Sequence, residues 1–137
     1  MRSSDIRGRL ILLAVILALL AAGAYVLIGY HWLGVGDLSA SEAPAAIIIV
    51  AASCYALGGL LILLRWRWLW IFGAIMNALV ILFFVGLYLD RPAVMFSPGG
   101  LASKAAQILL ELCLIALIAA DWREPRRLSL HRDKRLT

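Results

Sequence analysis

Apolar residues run along this chain in four long blocks, about 10–33, 43–64, 66–89 and 101–122, separated by short polar or turn-forming segments. A helix rises 1.5 Å per residue, so about 20 residues cross a hydrocarbon core of roughly 30 Å. Each block meets that length. Short connections favour antiparallel neighbours. The pattern therefore predicts an all-α, membrane-embedded, up-down four-helix bundle forming one domain over residues 1–137, with 123–137 as a basic tail.

Composition agrees with the blocks. Hydrophobic residues make up 64% of the chain, charged residues 15%, and the mean hydropathy is +0.96. A soluble domain is nearer half apolar and a quarter charged. Arg2, Arg7 and Arg9 precede the first block, as in a secretory signal. The apolar run is longer than a signal's core, however, and no small-x-small cleavage site follows, so a retained span is expected. Cys54 and Cys113 both fall inside blocks and form no CxxC pair, which points to buried apolar roles with no metal site or thiol chemistry.

Charge sets the expected orientation. Basic residues gather in "MRSSDIRGR", in "RWRW" between the second and third blocks, and in the tail "REPRRLSLHRDKRLT". With these segments on one side, 11 of the 13 basic residues are cytoplasmic and Arg91 and Lys104 are outside. Both termini are thus expected in the cytoplasm of a multi-pass cell-membrane protein. Trp66, Trp68, Trp70 and Trp122 mark the inner boundary, and Tyr30, Trp32 and Tyr88 the outer one, as an aromatic belt. The basic tail is accounted for by topology and anionic headgroups, so the bilayer and no nucleic acid is the expected partner.

Helices in lipid associate through small residues and hydrogen bonds. Ala14, Ala18 and Ala22 form a stripe on the first span; Ala51, Tyr55 and Gly59 share a line on the second, with Ala52 and Ala56 beside it; the fourth has Ala116 and Ala120.

Polar residues inside the blocks are the candidate chemistry. Asn77 and Glu111 each lie ten residues inward of Arg67 and Asp121, and Tyr55 lies ten from Arg65. Ten residues make about 15 Å, half the hydrocarbon core. Lys104, Gln107 and Glu111 recur at three and four residues and so share one helical face. Lys104 sits near the outer end of that stripe, at an outer vestibule, where it can snorkel to water. A charge at a helix centre costs about 2.5–3.5 kcal/mol, against about 3–5 kcal/mol returned by the nine Leu and Ile of the span. That narrow margin favours a neutral or hydrogen-bonded Glu111, with Asn77 as its partner.

Two roles follow for Glu111, Asn77, Gln107 and Tyr55. The first is a structural lock between helices. The second makes Glu111 a proton or cation site below an outward-facing vestibule, since intramembrane ionisable residues mark such pathways. Contact with a further chain is a third. His31 in "GYHWLG" reads as an interfacial residue, with a haem or pigment ligand as the minor alternative, because no second His faces it.

The stretch "GAIMNALVILFFVGLY" followed by "SPGGLASKAAQILLELCLIALI" resembles a broad group of small four-span proteins from actinobacteria and related lineages. In that group a GxxxNxxV third helix precedes a fourth helix with a central Glu. The resemblance covers about half the chain and falls on Gly73, Asn77, Val80 and Glu111; the group brings no activity with it.

The expected function is a non-enzymatic membrane protein, an assembly or accessory subunit or a stand-alone bundle. A small proton-coupled transporter or channel using Glu111, in a homo-oligomer, is the alternative. No nucleophile–His–acid set, phosphate loop or cofactor motif appears, so no catalytic residues and no cofactor are expected.

Overall fold

A computed structural model describes residues 3–38 and 45–133, with side chains described over 5–38 and 45–122. All regular secondary structure among the described residues is helical: α1 (Ser3–Gly29), α2 (Ala45–Ile62), α3 (Arg67–Tyr88), the short α4 (Pro92–Met95) and α5 (Pro98–Asp133). Four of these, α1, α2, α3 and α5, are long and apolar enough to cross a membrane.

They coincide with the four apolar blocks, with shifted ends. α1 stops at Gly29, short of Leu33, because His31 takes a left-handed φ of 59° that ends the helical run. Arg65, at φ 54°, does the same in the turn between α2 and α3. The backbone of α5 continues past Trp122 into the basic tail as far as Asp133. Ala43 and Pro44 of the second block, Glu42 of the first loop, and residues 134–137 lie outside the described residues.

Close contacts fix the direction of each helix. A Cβ on Gly29 would meet Ile48, and one on Gly59 would meet Ala18 at 3.2 Å, so α1 and α2 run antiparallel. Arg7 meets Asp121 at one end and Ile28 meets Gly99 at the other, so α1 and α5 are antiparallel as well. Gly73 lies against Leu114, and Lys104 against Phe84, which reverses α3 against α5. The packing order is α2–α1–α5–α3. The backbones of α2 and α3 approach each other little, although a four-residue turn joins them.

Because α1 is flanked on both sides, it needs small residues on more than one face. Ala14, Ala18 and Ala22 are buried as the stripe predicts, and Ala21 and Ala24 join them. On α5 the buried apolar row is Ala106, Leu110, Cys113 and Leu117, spaced four, three and four apart, with Leu114 beside Cys113, whereas Ala116 and Ala120 lie to the side and are half-exposed. Cys113 is a free thiol buried in this row as expected. Cys54, also a free thiol, departs from the buried role expected of it and lies on the exposed face of α2, because its helical phase turns it away from α1.

One belt residue departs from expectation. Trp66, Trp68 and Trp122 are exposed, as are Tyr30 and Trp32 at the other end. Trp70 is 0% exposed, and its indole Nε1 donates to the Ile62 carbonyl at 3.2 Å. Helical phase is the cause: Trp70, Ala74 and Asn77 are spaced four and three apart on the buried face of α3.

At the end opposite Asp121 the segment 90–97 folds over the bundle. Val94 of α4 is fully buried. Ser97 Oγ accepts from Gly100 N at 3.1 Å, and Pro98 takes the first helical position, an N-cap arrangement for α5. Gly36, at φ 66°, passes so close that a Cβ there would lie 2.4 Å from the Ala93 carbonyl oxygen, so this crossing admits only glycine.

Candidate functional site

All four long helices send a polar side chain to one place. From α5, Lys104, Gln107 and Glu111 project on one face, and Gln107 is 0% exposed. Asn77 of α3, 4% exposed, stands opposite them. A primary amide has two N–H donors and one oxygen, and Asn77 uses all three atoms. Its Nδ2 donates to Glu111 Oε2 and to the Gln107 backbone carbonyl, both at 2.9 Å. Its Oδ1 accepts from the Tyr55 hydroxyl of α2 at 2.9 Å.

The network continues through α1. The Tyr55 ring stacks on that of Tyr25, with centroids 5.7 Å apart and planes at 17°. Tyr25 Oη in turn accepts from Gln107 Nε2 at 2.9 Å, and Gln107 Oε1 accepts from Lys104 Nζ at 2.5 Å. Starting at Lys104, the chain of contacts passes Gln107, Tyr25, Tyr55 and Asn77 and ends at Glu111.

The sequence-predicted residues Tyr55, Asn77, Gln107, Glu111 and Lys104 are thus brought together. The three placed at equal depth, Tyr55, Asn77 and Glu111, are bonded directly through the Asn77 amide. Lys104 behaves differently from the snorkelling expected of it. Its ammonium turns along α5 toward Gln107 and lies 4.3 Å from the Phe84 ring centroid, because an amide oxygen and an aromatic face both solvate it there. Glu111 is half-buried, and among the described residues only its Oε2 takes a hydrogen bond. His31 is exposed in its turn. Among the described residues no group of three or more His, Cys, Asp and Glu side chains could hold a metal ion.

Tyr25 is the member that sequence reasoning missed. Its signal is present all the same: it is the one side chain with a hydrogen-bonding group between Arg9 and Tyr30.

A second, ionic cluster closes the end of the bundle where α1 and α3 begin. Arg7 Nη2 meets Asp121 Oδ1 at 2.7 Å, and Arg67 Nη1 lies 3.9 Å from Asp121 Oδ2. The Arg7 guanidinium also sits 5.3 Å from the Trp70 ring centroid. These contacts bring the basic start of α1, the α2–α3 turn and the end of the apolar part of α5 to one end of the molecule.

Comparison of the chain with protein-family models, curated proteins and solved structures gives no match.

Proposed function

We propose that this chain is a small, non-enzymatic, multi-pass protein of the cell membrane, acting as an accessory or assembly subunit or as a stand-alone bundle. The amide of Asn77, with both donors and its oxygen engaged, carries the proposal. With every hydrogen-bonding atom of that side chain committed to α2 and α5, the polar midplane serves to hold helices in register. Gly73 and Asn77 of the GxxxNxxV stretch both face α5, at Leu114 and Glu111, which fits a motif that encodes helix pairing. The remaining faces carry exposed apolar side chains such as Leu12, Leu57, Phe72, Phe83 and Leu112, suited to lipid or to a partner within the bilayer. Isolation of the native protein in mild detergent tests this: a larger membrane complex, or a silent bundle, is expected.

Both termini are assigned to the cytoplasm. The basic start of α1, the "RWRW" turn and the origin of the tail share one end, and Lys and Arg concentrate on the cytoplasmic side of membrane proteins. A cytoplasm-active reporter fused at Thr137 should be functional, and a periplasm-active one silent. The opposite pattern overturns the orientation.

One observation favours the alternative, a proton-coupled transporter or channel. Glu111 keeps one carboxyl oxygen without a partner among the described residues, and Lys104 is drawn inward toward the same cluster. Glu111→Gln separates the two roles in proteoliposomes under a pH gradient. A neutral amide oxygen still accepts from Asn77, so a lock keeps its stability and any activity. A proton site gives a folded protein that has lost its pH-driven flux.

A further inference from the structure

A cleft of about 360 Å³ opens beside the ionic cluster, lined by Arg67, Trp68 and Ile71 of α3 and by Trp122 of α5. Its chemistry is layered. Trp68 and Trp122 are 71% and 61% exposed, in the manner of belt residues at the headgroup level. Ile71, one turn further along α3, supplies an apolar floor on the membrane side. Arg67 supplies the charge. Asp121 is already held by Arg7 at 2.7 Å, whereas Arg67 stands off at 3.9 Å with 46% of its side chain exposed. Among the described residues Asp121 is the carboxylate both guanidinium groups approach, and Arg67, the looser and more exposed of the two toward it, is the one that lines the cleft.

We propose that this cleft binds the phosphate-bearing headgroup of an anionic phospholipid, with Arg67 on the phosphate and Trp68 and Trp122 flanking the glycerol region. A planar guanidinium matches phosphate oxygens two at a time. Anionic lipid is preferred over a choline lipid because the Arg67 guanidinium itself lies over Trp68, 6.0 Å from the ring centroid, so that aromatic face already carries a cation. An apolar floor beside a charged rim suits a molecule with an acyl chain better than free phosphate. The inference rests on residence in a bilayer and is independent of whether the chain is a subunit or a transporter.

Native mass spectrometry of the full chain in detergent tests it by titration with phosphatidylglycerol, phosphatidylcholine or inorganic phosphate. Retained adducts are expected with phosphatidylglycerol well above phosphatidylcholine, and inorganic phosphate should not displace them. Arg67→Gln should weaken phosphatidylglycerol retention about tenfold, the loss of one hydrogen bond to a charged group, and should weaken phosphatidylcholine, whose phosphate is paired with its own choline cation, less. Arg65→Gln, in the same turn but outside the cleft lining, should have little effect, and Trp122→Leu should weaken retention with all charges intact. Equal retention of the two lipids, or an Arg65→Gln loss as large as that of Arg67→Gln, overturns the proposal in favour of diffuse attraction. Displacement by inorganic phosphate overturns it in favour of a free-anion site.

Discussion

Trp70→Ala is expected to destabilise the protein by about 3–5 kcal/mol, the range for truncating a large aromatic in a packed core. The ring has no exposed surface, lies in one apolar cluster with Ile11, Ala74, Leu114 and Leu117, and carries the Arg7 guanidinium above it. Truncation opens a cavity where α1, α3 and α5 converge and strips the ion pair at Asp121 of its aromatic support. Trp70→Phe keeps most of the volume and a π face but loses the bond to the Ile62 carbonyl, so about 1 kcal/mol is expected. Unfolding in mixed micelles by titration with a denaturing detergent measures both. Trp68→Ala, at an exposed position two residues away, should leave the midpoint nearly unchanged. If Trp70→Ala matched Trp68→Ala, Trp70 would be a belt residue after all.

Asn77→Leu is expected to cost about 2–5 kcal/mol. Three hydrogen bonds vanish together, and such bonds in membranes average about 0.6 kcal/mol and reach about 1.7. The substitution retains volume and adds apolar character, so a loss of stability reports the polar role and not a cavity. Loss of the Tyr55 bond should also loosen α2 from α3, whose backbones make little contact otherwise. An Asn77→Leu protein as stable as the parent in the same titration would show that apolar packing alone holds α3 against α5.

Much of this was legible in the pattern of apolar positions. Four helices long and apolar enough to span follow from length and hydropathy, because a bilayer demands both of any helix that crosses it. The meeting of Tyr55, Asn77 and Glu111 was legible from depth, since residues at equal rise on neighbouring helices lie level. Phase was the neglected signal at Trp70: position placed it in the belt, whereas its four-and-three spacing from Ala74 and Asn77 puts it inside. Tyr25 escaped because the depth argument compared polar residues on the second, third and fourth spans only, and its isolation among the apolar residues of the first went unweighed. The packing order α2–α1–α5–α3 could not be read from loop lengths. A short turn fixes the direction of α3 relative to α2, but the face bearing Trp70, Ala74 and Asn77 finds its complement on α5. The cap formed by Gly36 against Ala93 was equally hidden, since it joins two loops far apart in sequence.

Asn77 and Glu111 act as a pair across the α3–α5 interface. A double-mutant cycle with Asn77→Leu, Glu111→Leu and the combined variant, read by unfolding in mixed micelles, measures this pairing directly. The predicted result is a coupling of about 0.6–1.7 kcal/mol, the double substitution costing less than its parts combined. Costs that add to within about 0.3 kcal/mol, as they do for independent sites, would contradict it.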